Sequence, residues 1–185
     1  MVSLASLWLP ILLSAVAVWI ASAALHMLLR YHSSDFAKPP NEDAIMTAMR
    51  GIPPGDYMMP YASSPAERKD PAFQERMKAG PVVVLTVMGE GMQTAFPKAL
   101  VNWFIYGIVT SIFAAYVAGR ARGPGTEYME IFRFVGTTAF LGYSLAMAQQ
   151  SIWWGKKWSA TVKSMLDGLI YALLTAGIFG WLWPK

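Results

Sequence analysis

Four stretches of the chain contain no Lys, Arg, Asp or Glu: Leu4 to Leu29, Ala99 to Gly119, Phe134 to Trp154, and Gly168 to Trp183. A bilayer hydrocarbon core of about 30 Å asks for about 20 helical residues, and each stretch reaches or approaches that with its flanks. The pattern therefore predicts transmembrane helices over 4–29, 99–118, 130–154 and 162–183. The intervening segment, 30–98, mixes charged and apolar residues and is punctuated by prolines and glycines. The predicted fold is an all-α membrane protein, a four-transmembrane-helix bundle with a small α/β extramembrane cap between helices 1 and 2.

The cap carries its own start and stop signals. Pro39-Pro40-Asn41-Glu42-Asp43 reads as a helix start, with Asn41 as cap and two acids at the positive end of the helix dipole; Arg50-Gly51 reads as its stop. Ser64-Pro65-Ala66-Glu67 has capping-box spacing, with Pro at the first helical position. Asp70-Pro71 starts another helix, which stops at Lys78-Ala79-Gly80. Pro81 to Val87 is a β-branched run that predicts a strand, and Gly55 to Tyr61 is its expected partner.

Composition agrees with lipid as the solvent. The 185 residues are 55% hydrophobic and 14% charged, against about 25% charged in a soluble domain, and the mean hydropathy is +0.38. The pI near 9.4 does not point to nucleic acid. Residues 30–98 balance eight basic residues with eight acidic ones, so the net charge of +4 sits on short loops and helix ends, where membrane proteins keep it for topology. Four spans place both termini on one face. Lys156, Lys157 and Lys163, with Arg30 and Lys98, outnumber the basic residues of the terminal face by one or two, which favours a cytoplasmic cap. Aromatic belts are expected at both faces: Trp8, Tyr116, Tyr128, Phe132, Trp181 and Trp183 at one, and Tyr31, Trp103, Trp153, Trp154 and Trp158 at the other. No Lys or Arg precedes the first apolar stretch, so it reads as a retained anchor despite the Ala21-Ser22-Ala23 triplet. With no cysteine, thiolate metal sites and thiol nucleophiles are excluded.

Several segments carry a likeness: Leu9-Pro10-Ile11-Leu12-Leu13-Ser14-Ala15, Pro40-Asn41-Glu42-Asp43-Ala44, Pro54-Gly55-Asp56-Tyr57 with Pro60, Gly80-Pro81-Val82, and Phe132-Arg133. The longest runs from Asp167-Gly168-Leu169-Ile170-Tyr171 to Gly177 and continues to Trp183-Pro184. On these pieces the chain resembles a family of uncharacterised bacterial inner-membrane proteins with four predicted spans. The resemblance covers nearly the whole chain and implies a bacterial inner membrane; it implies no activity.

Two residue patterns could bear on function. Small residues recur every four positions in helix two (Gly107, Ser111, Ala115, Gly119) and helix four (Gly168, Ala172, Ala176, Gly180). Such spacing lets helix backbones approach in lipid, either within the chain or against another subunit. The second pattern is polar. His26, Asn102, Gln149, Gln150 and Asp167 are predicted at one depth beneath the cap, with Tyr106, Tyr171 and Ser22 one turn deeper. Asp167 is expected to pair with Lys163, one turn back, or with His26 across the bundle, because an unpaired charge there is expensive. This layer is either a satisfied polar knot or a pocket for a proton, ion or lipid headgroup. His26 and Asp167 resemble a base with its orienting acid, but no nucleophile is marked. Met58, Met59, Met88 and Met92 form no Met-x-x-Met array, so no metal or cofactor is expected.

The first expectation is a non-catalytic accessory or assembly subunit, or a self-associating scaffold, with the lipid bilayer and other membrane subunits as partners. The alternative is a small oligomeric ion, proton or lipid carrier that uses the polar layer. The third is a lipid-directed membrane enzyme.

Overall fold

The computed structural model describes residues 1–89 and 91–185, the side chains of Met92 and Gln93 excepted. The chain divides into two compact units, Met1–Ala37 with Phe96–Lys185, and Lys38–Ala95. The segment read as extramembrane is thus divided, because residues 30–37 belong with the long helices.

Among the described residues, four helical stretches are long and apolar enough to cross a membrane: Ala5–Leu28, Thr94–Ala121, Tyr128–Trp154 and Trp158–Trp181. The first is built on α1 (Trp8–Ala23), preceded by a 3₁₀ turn (Leu4–Leu7) and followed by a π turn (Ala24–Leu28). In the 38–95 unit come α2 (Glu42–Met49), α3 (Pro65–Lys69) and α4 (Pro71–Ala79). The second stretch lies in α5 (Met92–Ala121), with Pro97 inside it. A start at 99 was expected; the helix instead begins ahead of Pro97, which falls in its second turn. The third stretch is broken, α6 (Tyr128–Tyr143) giving way at Ser144 to a 3₁₀ turn and then α7 (Ala148–Trp154). The fourth is α8 (Trp158–Trp181).

Both termini and the α5–α6 connection meet at one end of the unit. Val2 N donates to Gly119 O at 2.8 Å, Gly125 N to Pro184 O at 2.9 Å, and Trp183 Nε1 to Gly123 O at 2.9 Å. Trp183 is therefore buried in the core rather than part of an aromatic belt. Trp103 also lies inward. Trp8, Trp153, Trp154, Trp158 and Trp181 are exposed, as interfacial rings would be.

The small-residue ladders lie inside the bundle. Ser111, Ala115, Ala172 and Ala176 are buried. A Cβ on Gly107 would meet Ala15, one on Gly119 would meet Val2, one on Gly168 would meet Tyr143, and one on Gly180 would meet Tyr128. Ile20, Ile105, Phe113, Leu141 and Leu173 point outward and are exposed. Water would penalise such apolar outer faces.

In the second unit, β1 (Gly55–Met59) and β2 (Val83–Val87) form an antiparallel pair, Gly55 opposite Val87 and Met59 opposite Val83. Asn41 does not cap α2 with its side chain. It sits at φ 54°, a left-handed conformation that Asn tolerates, and its carbonyl takes the Ala44 and Ile45 amides instead. Ser64 Oγ accepts from Glu67 N at 3.1 Å, while Glu67 reaches back to Ser63 rather than Ser64. Asp70 Oδ1 accepts from Ala72 N at 2.7 Å, and α4 ends at Gly80, φ 65°. Losing an N-cap acceptor costs about 1 kcal/mol. Asp70→Ala is therefore expected to raise amide hydrogen exchange across 71–79 about fivefold, measurable by mass spectrometry.

Candidate functional site

The end of the first unit opposite the termini carries a cluster of ionisable side chains. The π turn that closes the first long helix presents His26, and Leu29 follows in extended conformation (φ −91°, ψ 121°). A 3₁₀ turn over Arg30–Ser34 then folds the chain back. That reversal stacks the His32 ring on His26, centroids 4.6 Å apart and planes within 9°. Both rings face α8, where Asp167 is almost completely buried, with 3% of its side chain exposed.

His32 Nε2 lies 2.7 Å from Asp167 Oδ2, and His26 Nε2 lies 3.7 Å from the same oxygen. On the far side of its ring, His32 Nδ1 donates to Asp35 Oδ2 at 2.6 Å. Asp35 Oδ1 accepts from Lys163 Nζ at 2.8 Å, and the same ammonium donates to Tyr31 O at 2.5 Å and Ser34 Oγ at 2.8 Å. The Lys163 hydrogen bond, and after it that of His32, holds the Asp35 carboxyl below the usual aspartate range. The result is a chain of contacts from Lys163 through Asp35 and His32 to Asp167, with His26 beside it.

A cavity of about 620 Å³ opens from this cluster. Its wall includes Trp103, Tyr106, Tyr143 and Tyr171, whose ring centroids stand 5.6 to 6.0 Å apart in the contacts they make. Its rim includes Met27, Phe96 and Tyr106, all exposed. Three buried polar atoms on the lining residues have no hydrogen-bond partner: Asp167 Oδ1, Trp103 Nε1 and Tyr171 Oη. The Tyr171 hydroxyl lies beside Ser22, also on the wall, without hydrogen-bonding geometry. Orphaned polar atoms beside a mainly apolar cavity are an unusual combination, because buried polar groups are nearly always paired.

No family model, no curated protein and no solved structure matches the chain. The reading of the site rests on its geometry.

The predicted polar layer is thus divided. His26 and Asp167 meet. Lys163 turns away from Asp167, which a helix neighbour four residues on could have engaged, because Asp35, Ser34 and the Tyr31 carbonyl offer it three acceptors. Asn102 and Gln149 are exposed, and exposed Gln150 accepts from Lys156 at 3.0 Å; none of the three joins the cluster. His32 and Asp35 do join it, although the sequence places them beyond the first apolar stretch. The available signal was their i, i+3 spacing, together with a second histidine six positions after His26. His26, His32 and Asp167 also bring three ligand atoms within 4.8 Å of one another, where the sequence reading expected no metal donors.

Proposed function

We propose that the chain is a multi-pass protein of the bacterial inner membrane that binds one amphiphile, a lipid or lipid-like molecule. Its polar head lies against His26 and Asp167 and its apolar body along the aromatic wall. One observation carries this reading: the cavity wall is mainly apolar and aromatic, yet it also carries His26 and Asp167, and Asp167, Trp103 and Tyr171 each hold a buried polar atom with no partner among the described residues. Ligand sites are mostly apolar with a few polar groups. A charged cluster beside an aromatic wall fits a molecule with a head and a tail. The exposed rim supports entry from the hydrocarbon side. The apolar outer faces of the four long helices support embedding, and the basic residues near Lys163 support a cytoplasmic 38–95 unit.

This function unites the carrier and lipid-directed readings, which share one pocket. The accessory-subunit and scaffold readings drew on the cap and the small-residue ladders, and those ladders face the interior of the bundle. A contact with another subunit would use the 38–95 unit or the outer apolar faces.

The test uses the full chain extracted in mild detergent and the membrane lipids that accompany it. One lipid class is expected at close to one molecule per chain. Ala23→Trp, which places an indole on the cavity wall, is expected to reduce that amount about tenfold with unchanged helicity. Equal retention in Ala23→Trp and in an outward-facing control such as Leu141→Trp would defeat the proposal.

A further inference from the structure

The hydrogen bonds at the two histidines fix where their lone pairs point. His26 Nδ1 lies 3.1 Å from the Ser22 carbonyl oxygen, which can only accept, so Nδ1 carries the proton. His32 Nδ1 faces Asp35 Oδ2 at 2.6 Å, and that carboxylate, already bonded to Lys163, accepts in the same way. Each ring therefore turns its Nε2 toward Asp167 Oδ2. Two ring nitrogens and a carboxylate oxygen converge within 4.8 Å. A proton on His32 Nε2 would serve the 2.7 Å contact and leave His26 Nε2, at 3.7 Å, without one. A metal ion serves all three.

We infer that His26 Nε2, His32 Nε2 and Asp167 Oδ2 form a binding site for a divalent transition-metal ion of the zinc type, with a coordination position open to the cavity. Two histidines and one carboxylate are a common donor set for a zinc site that keeps a free position. In a tetrahedral site with bonds of about 2.0–2.1 Å, ligand atoms stand roughly 3.3 Å apart. The observed separations from Asp167 Oδ2, 2.7 Å for His32 and 3.7 Å for His26, bracket that value. Half-exposed His26 is the ring that turns out of its parallel stack to meet the ion, while His32 is held by Asp35.

The surroundings fit as well. Metal-bound histidines usually donate their other N–H to a carboxylate or backbone carbonyl. His32 has Asp35 in that role, oriented in turn by Lys163, and His26 has Ser22 O. Asp167 Oδ1 is buried and unpartnered, so the carboxylate has an oxygen to spare for the ion or for what the ion holds. An ion there would give the open position an affinity for an anionic head, a phosphate or a carboxylate. That last step rests on the amphiphile reading; occupancy by the ion does not.

The test takes the full detergent-solubilised chain, strips it with chelator, and titrates it with Zn²⁺ or Co²⁺ alone. One ion per chain at micromolar or tighter affinity is expected, with the visible absorption of four-coordinate Co²⁺. Asp167→Asn and His32→Asn are expected to abolish binding. Asp35→Asn, which keeps an acceptor for His32 but not its charge, is expected to weaken it about 10- to 100-fold, as outer-shell changes do. The cavity-filling Ala23→Trp chain is expected to keep the ion while losing the amphiphile, which separates the two proposals. Binding only at millimolar ion would overturn the site, and so would affinity unchanged in both Asp167→Asn and His26→Gln. Should Asp167→Asn fail to fold, His26→Gln on the half-exposed ring carries the test alone, with at least a tenfold loss expected.

Discussion

Gly168→Leu is expected to lower the melting temperature of the detergent-solubilised chain by about 10 °C, corresponding to a loss of about 3 kcal/mol in a protein of this size. The reason lies across the helix interface, at the break between α6 and α7. A Cβ on Gly168 would stand 2.7 Å from the Tyr143 carbonyl oxygen and 2.8 Å from Ser144 Cβ. The first obstacle is backbone, so no rotamer change relieves it. The local backbone is already committed: Ser144 N donates to Phe140 O and its hydroxyl donates to Met165 O at 2.9 Å. Overpacking typically costs about 1–3 kcal/mol, and a leucine at a backbone contact belongs at the upper end. Gly168→Ala separates two opposing terms, since Ala gains about 1 kcal/mol over Gly inside a helix. A net loss there would show that close approach outweighs propensity. Gly177→Ala is the control, its nearest neighbour being the Tyr128 hydroxyl at 3.6 Å; it is expected to be neutral or slightly stabilising. Circular dichroism during heating checks all three. Gly168 follows Asp167 directly, so the clash would also displace the carboxylate on which the site depends.

How much of this was legible beforehand follows from what a sequence pattern encodes. The absence of charge over hydrocarbon length marks a helix whatever its neighbours are, so the four long helices could be read directly. A β-branched run and cap chemistry marked the β1–β2 pair and the ends of α3 and α4 in the same way, because those signals are local. Position along a helix gives depth, and depth brought His26 and Asp167 together correctly. Depth does not give azimuth. Asn102, Gln149 and Gln150 share the level but lie on outward faces, and no residue type marks which face that is. His32 and Asp35 were missed for a different reason. Their return to the bundle depends on a π turn, an extended Leu29 and a 3₁₀ turn in succession, none of which has a sequence signature. The break at Ser144 was equally silent, since no proline announces it.

Lys163→Met is expected to be the most damaging polar change, and its partner shows why. The ammonium donates to three acceptors, and its ion pair with Asp35 is mostly sheltered, with side-chain exposures of 23% and 11%. Removing Lys163 leaves the Asp35 carboxylate with His32 alone. Discounted from the fully buried case, that loss is about 2–3 kcal/mol. Removing both in Lys163→Met/Asp35→Asn should recover at least half of it, because the neutral amide can still accept from His32. A thermal-stability double-mutant cycle measures the coupling; additive effects would show that the pair does not act as one. The pH dependence has a definite sign. Asp35 is held below its ordinary value first by Lys163 and then by His32, so the folded state binds this proton less readily than the unfolded chain does. The stabilisation is complete above the unfolded value and disappears as pH falls through the lowered one. In Lys163→Met the larger cause is gone, Asp35 takes up its proton at higher pH, and the acid limb of the stability curve should move up with it. An acid limb at the same pH in both proteins would mean that Lys163 sets the position of residues 31–35 without setting the charge at Asp35.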